Sequence, residues 1–465
     1  MRDSEPIFWP VSELTRAFAT GELSPVEVTE QALTRVATLD PELHSYLSVT
    51  PDLARRQARE AEDRYRSDDG TGPPLLGVPL SIKDLFDIRG ETTTLGSRAH
   101  RKGTADADSA AVMLLRAAGA VFIGKSNTAE FGQSATTDNL LGPECGNPWN
   151  PERTSGGSSG GAAASVGAGL ASAALGSDGG GSIRIPAAMC GLFGLKPTFA
   201  RTPQHDTFHA MTEFACSGPI TRTVADARLL LAVLLDRDFQ ASSTAVPRRV
   251  AWCPAPQGRP VDPGVRDATA RAVGVLAGQG HLIEEVVLPL EGWTDAFGPL
   301  VLADEWLYRR HLLDEARDDL TRYVRRGIEA GESVTEQDVA DALALKDEIS
   351  GRVRALFDTF DFVITPTTAC VAFPMGARPS TIDGRDIDPL WGPFPFTAPF
   401  NVSGSPAASL PVGLVDGMPV GLQVIAAHGR EDLLLDLCQQ LEEALCFPIS
   451  DMERRWSMAR DDGGL

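Results

Sequence analysis

The chain has 465 residues, of which 43% are hydrophobic, so it is long enough and apolar enough to bury a sizeable core. Its 63 acidic and 42 basic residues give a formal net charge of -21, which opposes binding to a nucleic-acid backbone or to an anionic membrane surface. The seven cysteines are widely scattered and include no Cys-x-x-Cys pair, so neither a disulfide framework nor a zinc site is indicated.

The amino-terminal residues carry no targeting signal of the common kind. They lack a basic segment followed by an apolar one, and no run of about 18 apolar residues occurs along the chain. Unpaired cysteines are typical of a reducing compartment. We therefore expect a cytoplasmic protein without a membrane partner.

Secondary structure is predicted to begin with helices over residues 1–70. Within them, Ser24-Pro25-Val26-Glu27 combines an N-cap serine, a proline at the first helical position and a glutamate at the third. Gly77–Ile82 predicts a short apolar strand, Ser109–Ala118 a helix and Ala120–Ile123 another strand. This alternation indicates an α/β fold.

The remainder of the chain divides by composition. Residues 77–235 are rich in small residues, whereas residues 240–395 are less so and include a long helical stretch, which predicts a more variable cap segment. Strand-like runs and a helix return in residues 396–450, which we expect to rejoin the first part. Residues 451–465 are charged and end in glycine, which is typical of a loose tail.

The segment Gly156–Ser182 contains ten glycines and six serines in 27 residues. A flexible linker would be polar throughout, but Ala162–Leu175 predicts a small-residue helix and an apolar run. Glycines allow backbone amides to approach a ligand closely, so several N–H groups beside a serine could stabilise an oxyanion. The segment is therefore predicted to hold a nucleophile, with Ser158 and Ser182 as candidates.

Two familiar motifs match by letter but not by context. Gly119-x4-Gly124-Lys125-Ser126 fits the P-loop pattern, yet its central residues are themselves the predicted strand and a helix precedes it. Gly156-x-Ser158-x-Gly160 fits the nucleophile elbow of α/β-hydrolases, but a loop with proline and arginine precedes it and no later histidine has a recognisable context. We reject both nucleotide binding and a Ser-His-Asp triad.

A third set of motifs resembles the amidase signature family almost from end to end. The matching segments are GVPLSIKD (77–84), GGSSGG (156–161), GSDGGGSIRIPAA (176–188), GLKPT (194–198), GPITRTVAD (218–226), ITPT (364–367), NVSGSPA (401–407) and GMPVGLQ (417–423). The resemblance implies one domain over residues 1–465, with a central mixed, mostly parallel β-sheet covered by helices on both faces. Residues 77–235 would be its catalytic core.

The resemblance further implies a Ser-Ser-Lys triad with Ser182 as nucleophile, Ser158 as bridging hydroxyl after a cis peptide, and Lys83 as base. Chemistry supports a lysine base, because a serine hydroxyl needs a proton acceptor and burial lowers a lysine pKa. Apolar residues flank Lys83 on both sides. The chain has only five lysines against 37 arginines, and arginine cannot act as a base.

Backbone N–H groups of Gly179, Gly180, Gly181 and Ser182 would then form the oxyanion hole. Many family members have threonine at position 179, so glycine there is expected to leave more room and less polarity beside the scissile bond.

Two further pairs of residues take roles from this resemblance. Gly132 and Gln133 align with a segment that lines the acyl pocket, and Gln133 is a candidate to hydrogen-bond the substrate, although a plain loop residue is an equal alternative. Asp178 and Arg184 are interpreted as a supporting polar network, with a direct grip of Arg184 on a substrate carboxylate as the alternative.

The sequence thus favours an amidase that hydrolyses a small aliphatic or aromatic carboxamide or anilide. The alternative is the glutaminase subunit of a tRNA-dependent amidotransferase, although the chain has only four tyrosines, lacks the tyrosine-rich segment expected there, and has no basic surface for RNA. No metal or cofactor is implied. A small amide is the expected partner, nucleic acid is not contacted directly, and a homodimer is compatible by analogy.

Overall fold

The computed structural model describes residues 4–67, 72–100, 103–203, 208–237, 239, 246–388 and 390–458. None of the helices in these ranges is both long and apolar enough to cross a membrane. The α-helices found there are α1 (Val11–Ala19), α2 (Pro25–Leu43), α3 (Pro51–Ser67), α4 (Ala110–Ala117), α5 (Gly160–Gly167), α6 (Arg184–Cys190), α7 (Val224–Leu235), α8 (Pro263–Gly278), α9 (Trp293–Arg309), α10 (Leu312–Glu315), α11 (Arg322–Gly331), α12 (Glu336–Leu356), α13 (Pro399–Val402), α14 (Glu431–Leu445) and α15 (Ile449–Arg455).

Short 3-10 turns at Pro6–Phe8, Glu130–Gly132, Pro256–Gly258 and Arg317–Asp319 complete the helical structure of the described residues. The strands in the same ranges are β1 (Tyr46–Val49), β2 (Pro79–Lys83), β3 (Val121–Ser126), β4 (Gly146–Asn147), β5 (Asn150–Thr154), β6 (Ala173–Asp178), β7 (Phe193–Lys196), β8 (Cys216–Thr221), β9 (Arg249–Trp252), β10 (Leu282–Glu285), β11 (Phe362–Pro366), β12 (Thr381–Ile382), β13 (Arg385–Asp386), β14 (Ala407–Val415) and β15 (Met418–Ala426).

Eleven of the described strands form one sheet in the order β1-β3-β2-β6-β8-β7-β14-β15-β11-β9-β10. Parallel pairing is found in two groups, β3-β2-β6 and β11-β9-β10. Between these groups and at the β1 edge the described pairs are antiparallel. The predicted α/β fold with a mixed sheet is confirmed, and the parallel pairing expected of it is confined to the two groups.

One local reason for the antiparallel centre is the connection between β14 and β15. Asp416 and Gly417 both have positive φ, 51° and 74°, and join the two strands directly. Such a two-residue hairpin joins only antiparallel strands, since a parallel pair needs a long crossover. The Asp-Gly pair therefore sets the direction of β15 relative to β14.

The predicted start of the second helix is confirmed in detail. The Oγ of Ser24 accepts hydrogen bonds from the N–H groups of Val26 and Glu27, and Pro25 opens α2. This arrangement satisfies two of the amide groups that the first turn of a helix leaves free. The predicted strands in residues 77–82 and 120–123 likewise correspond to β2 and β3, with α4 between them.

Helices cover both faces of the sheet, because alternate residues of its strands enter different cores. In β3, Val121 and Ile123 pack in a core with α2 and α5, whereas Phe122 packs with α4 and α7 on the other face. Strand β15 divides in the same way, with Leu422 and Val424 on one face and Ile425 on the other. The helical cover expected on both faces is therefore present.

Two boundaries differ from the sequence-based expectation. Residues 240–395 are more than a cap, because β9, β10 and β11 from this segment extend the main sheet. Residues from 451 do not all form a loose tail, because α15 continues to Arg455 and the side chain of Trp456 is buried, with its indole N–H donating to Pro148 O at 2.8 Å. Residues 459–465 of the predicted tail lie outside the described residues.

Arg35 of α2 ties the amino-terminal helices to the rest of the molecule. Its side chain is fully buried, with Nε donating to Gly169 O at 2.7 Å and Nη2 donating to Ala168 O and Trp456 O at 2.7 and 2.8 Å. Its Nη1 pairs with Glu5 at 2.9 Å. One guanidinium thus satisfies carbonyl groups from separate parts of the chain.

We expect Arg35→Gln to lower the free energy of unfolding by about 3–5 kcal/mol, since it leaves these buried carbonyls and Glu5 without their donor. Arg16→Gln, on the exposed side of α1, removes the same charge and is expected to change stability by no more than about 0.5 kcal/mol. Urea unfolding of both variants measures the difference. Equal effects in the two variants would contradict the role given to Arg35.

Candidate active site

Three segments that are distant in sequence meet at one end of β2 and β6. Lys83 is the last residue of β2, which pairs in parallel with β6, and β6 leads into Gly179–Ser182 and then α6. The loop before α5 joins them through Ser159, whose N–H donates to Ser182 O at 3.1 Å and whose Oγ donates to Ser177 O at 3.2 Å. The sheet therefore gathers the candidate residues on one rigid edge.

Glycine is required at two positions of this assembly. A Cβ on Gly157 would lie 2.6 Å from the carbonyl of Thr136, which is backbone and cannot move aside. Gly181 has a φ of 127°, and a Cβ there would lie 2.2 Å from Thr397 Oγ1. The Gly157–Ser158 peptide is cis, as the family resemblance implied. These glycines let the two serine-bearing segments pack directly against their neighbours.

Lys83 is fully buried and hydrogen-bonds to hydroxyl groups. Its Nζ lies 2.7 Å from Ser158 Oγ and 2.9 Å from Ser177 Oγ. Burial lowers the pKa of Lys83 to about 7, and the negative charge of Asp178 opposes this shift only in part. Asp84, the alternative partner next to it in sequence, pairs instead with Lys125 at 2.6 Å. Lys83 is thus a buried amine that can lose its proton near neutral pH.

Asp178 and Arg184 form a closed network beside Ser182. The carboxylate of Asp178 accepts from Nε and Nη2 of Arg184, both at 2.9 Å, and from Asn401 Nδ2 at 2.8 Å. Burial raises the pKa of Asp178, but the charge and hydrogen bonds of Arg184 outweigh it and hold that pKa well below its usual range. Arg184 also donates to Gln423 Oε1 at 2.6 Å and is fully buried. The supporting network matches this geometry, and the alternative of a direct grip on a substrate carboxylate does not.

The same carboxylate changes the set of predicted oxyanion donors. The N–H of Gly181 donates to Asp178 Oδ1 at 2.8 Å, so it is directed away from Ser182 and does not fit the predicted role. Gly179, Gly180 and Ser182 remain candidates, and Gly179 and Ser182 both line the cavity at the site. Asp178 thereby orients the loop that leads to Ser182.

A small cavity of about 10 Å³ opens between these segments. Ser158, Ser177 and Ser182 line it together, so the two candidate serines face a common space. Its other walls are apolar or aliphatic and come from Leu85, Phe131, Gly132, Gly179, Phe208, Ala210, Met211 and Ala215. This volume is far below that of an occupied small-molecule site, so its walls must open to admit an amide.

Met211 accounts for much of that wall. A Cβ on Gly179 would lie 2.4 Å from Met211 Sδ and 3.0 Å from Met211 Cβ. The expected extra room at position 179 is therefore absent, because a methionine from another segment fills it. Met211 also has a φ of 50°, in the left-handed region that non-glycine residues rarely adopt. A methionine side chain is flexible and can change the size of the pocket.

Gly132 and Gln133 separate in the structure. Gly132 lines the cavity, and a Cβ there would lie 3.5 Å from Ser158 Oγ. Gln133 is not among the described lining residues, and its Nε2 donates to Glu305 Oε1 at 2.6 Å. Glu305 also pairs with Arg309 at 2.7 Å, and burial raises the pKa of Glu305 to about 7. The loop alternative fits Gln133 better than a substrate contact.

Sequence reasoning missed Ser177, Met211 and Glu305. Ser177 belongs to the same glycine- and serine-rich segment, and its position next to Asp178 was a signal that could have found it. Met211 and Glu305 carry no such signal, because they reach the site only through contacts between distant segments. Among the described residues, no group of three His, Cys, Asp or Glu side chains is placed to hold a metal ion.

Comparison with known proteins agrees with this geometry. Residues 27–435 match the family model described as Amidase, and the chain belongs to the amidase signature family of enzymes, which hydrolyse carbon–nitrogen bonds. An acylamidase of Rhodococcus erythropolis is 33% identical, with 93% of this chain and 94% of the relative covered. A subunit of the glutamyl-tRNA(Gln) amidotransferase of Roseiflexus castenholzii is 34% identical, with 97% and 98% covered.

Solved structures agree with the fold. A bacterial aryl acylamidase of the amidase signature family superposes with a TM-score of 0.87 at 29% identity, covering 98% of this chain and all of the other. A second crystal structure, of an amidase, gives a TM-score of 0.88 at 31% identity and covers 94% of this chain and all of the other.

The contact between Gly179 and Met211 can be tested by a double-mutant cycle. Gly179→Ala is expected to cost about 1–3 kcal/mol of unfolding free energy through overpacking, and Met211→Ala to cost more through cavity formation. Because the smaller side chain makes room for the added methyl, the double variant should lose at least about 0.5 kcal/mol less than the sum. Urea unfolding of the four proteins measures this coupling.

Gly274 supplies the control for this cycle, because a Cβ there meets no atom within 4 Å. Gly274→Ala combined with Met211→Ala is expected to be additive. Additivity in the Gly179 cycle as well would show that the two residues do not pack together.

Proposed function

We propose that the protein is an amidase that forms an acyl-enzyme on Ser182 with the help of Ser158 and Lys83. The observation that carries this proposal is the fully buried Lys83, whose Nζ lies 2.7 Å from Ser158 Oγ in a cavity that Ser182 also lines. A serine nucleophile needs a nearby base, and a desolvated lysine is one of the groups able to serve.

In the proposed mechanism, the neutral amine of Lys83 accepts a proton from Ser158 Oγ as Ser158 takes the proton of Ser182. The Oγ of Ser182 attacks the amide carbonyl, and the carbonyl oxygen becomes an oxyanion. Ser158 then protonates the leaving nitrogen, the carbon–nitrogen bond breaks, and Lys83 returns its proton to Ser158. A water molecule hydrolyses the acyl-enzyme through the same proton relay.

The oxyanion would be held by the N–H groups of Gly179, Gly180 and Ser182. Backbone donors fixed in place before the reaction cost no reorganisation, and loss of one such donor typically costs about 2.7–4 kcal/mol. Gly181 supports them indirectly, because its own N–H is anchored on Asp178. A rigid loop is therefore as important to the proposal as the nucleophile itself.

As substrate we propose a small aliphatic or aromatic carboxamide or anilide. The apolar walls from Leu85, Phe131, Phe208 and Met211 favour an apolar group beside the scissile bond. Relatives named as an acylamidase and an aryl acylamidase support the same class. The acidic net charge and the free cysteines support a cytoplasmic enzyme whose partner is this small amide.

The second candidate is the glutaminase subunit of a tRNA-dependent amidotransferase. The observation in its favour is the 34% identity with a relative named as part of a glutamyl-tRNA(Gln) amidotransferase. This candidate predicts that the chain co-purifies stably with a second subunit. Glutaminase activity should then be found only in that complex. Amide hydrolysis by the isolated chain, without glutaminase activity in any complex, supports the stand-alone amidase instead.

A fluorophosphonate probe tests the nucleophile whatever the substrate is. We expect the purified protein to form an adduct on Ser182, located by peptide mass spectrometry. The labelling rate should fall about 10²–10⁴-fold in Lys83→Ala, because the base is lost. Ser158→Ala should slow labelling far more than Ser159→Ala, since Ser159 Oγ donates to Ser177 O instead. An adduct on Ser158 would overturn the assignment.

The pKa of Lys83 gives the pH dependence. With that pKa lowered to about 7, the amine is protonated and inactive below this pH and neutral above it. The rate constant kcat/KM is therefore expected to rise with pH to about 7 and then level off. Rates of amide hydrolysis between pH 5 and 9 measure the profile, with Ser159→Ala as a control that keeps it. A rate that falls as pH rises through this range would contradict a lysine base.

A further inference from the structure

A second cavity lies apart from Ser182 and is much larger. It encloses about 340 Å³, and its described lining residues are all different from those of the cavity at Ser182. Helix α3, the end of α4 and the segments before β2 and β3 surround it. A space of this size is within the range of small-molecule sites.

Arginines dominate the lining of this cavity. Arg56, Arg64, Arg89 and Arg116 all contribute, and Glu60 is the one acidic residue among the described lining residues. The chain as a whole has 63 acidic and 42 basic residues, so this local balance runs opposite to that of the molecule. Local positive charge in an acidic protein favours an anion at this place.

Two of these arginines, Arg56 and Arg89, form no ion pair with any described residue. Arg56 makes only a long contact, 3.5 Å from Nη1 to Asp52 O. Arg116, by contrast, is held in place by Asp108, which accepts at 2.6 and 2.8 Å, and by the ring of Phe122, 4.9 Å from its Cζ. The cavity thus combines one oriented arginine with two whose guanidinium groups can pair with a ligand.

A buried amide adds an independent observation. Gln57 is only 8% exposed and lines the cavity, and its Oε1 accepts the N–H of Phe122 at 2.9 Å. Its Nε2 has no hydrogen-bond partner among the described residues. A buried donor without a partner is costly unless a ligand or water satisfies it.

The floor of the cavity is apolar and closely packed. It is formed by Leu53, Ala61, Leu76, Ala117 and Ala120. Gly119, with a φ of 88°, would place a Cβ 2.8 Å from Leu76 Cα, so the two segments of the floor are in direct contact.

We propose that this cavity binds a small organic molecule that carries a phosphate or carboxylate group. The forked donors of Arg56 and Arg89 match the oxygens of either anion, and Gln57 Nε2 supplies a neutral donor. The apolar floor contacts the carbon part of the ligand. This site is independent of the proposed amidase reaction, because its described residues are not those of the other site.

Nearby acids limit which anions can bind tightly. Glu60 lines the cavity, Asp108 already pairs with Arg116, and Glu91 lies close enough to Arg56 for the two charges to interact. A ligand with more than one negative charge gains more from the arginines than it loses to these carboxylates. Pyrophosphate and citrate are therefore suitable probes of the phosphate and carboxylate forms.

Isothermal titration calorimetry at low ionic strength tests the proposal. We expect pyrophosphate or citrate to bind with a Kd below about 1 mM, and the double variant Arg56→Gln/Arg89→Gln to weaken that binding at least about tenfold. Whichever probe binds more tightly identifies the anion. Lys83→Ala, inactive under the proposed function, is expected to bind the probe unchanged, so failure of one proposal leaves the other testable.

The matched control is Arg59→Gln/Arg66→Gln. Both residues are exposed on the same helix α3 and neither lines the cavity, so this variant removes the same charge without touching the site. It should keep the wild-type Kd. Equal weakening in both double variants, or no binding of either probe up to about 5 mM, would overturn the proposal.

Discussion

The burial of Lys83 as an amine is the constraint around which the site is organised. With a pKa lowered to about 7, the folded protein has released a proton that the unfolded chain keeps up to about pH 10.5. This group therefore costs stability in full below pH 7, and the cost falls as the pH rises through the interval between the two values. The surrounding core and sheet must outweigh that cost. The same burial makes the amine a base near neutral pH.

Small residues make this burial compatible with chemistry. Ser158 and Ser177 supply oxygen atoms to the amine at 2.7 and 2.9 Å, so it is desolvated but not left without partners. Gly157 and Gly181 let the serine-bearing segments approach to distances that a side chain would prevent. Asp178 then orients the loop before Ser182, because Arg184 and Asn401 hold its carboxylate in the charged form.

The pocket walls follow a different logic from this core. Phe297 of α9 and Trp391 both lie 3.2 Å from the position of a Cβ on Gly180, and Met211 fills the space beside Gly179. Residues outside the glycine- and serine-rich segment therefore shape the space around the proposed nucleophile. A family member can change substrate through such residues while the sheet edge and its hydroxyl groups stay as they are.

The sequence by itself determined the α/β class, the capped start of α2 at Ser24 and the candidate residues Lys83, Ser158 and Ser182, because these depend on local pattern and on motifs. It did not determine the partner of Gln133, the use of the Gly181 N–H or the side chain that fills the space at Gly179. Each of these depends on a contact between segments far apart in the chain or on the folding of a loop, with Glu305, Asp178 and Met211 oriented by packing. Local patterns report which groups are available, but only tertiary structure decides which group each one meets.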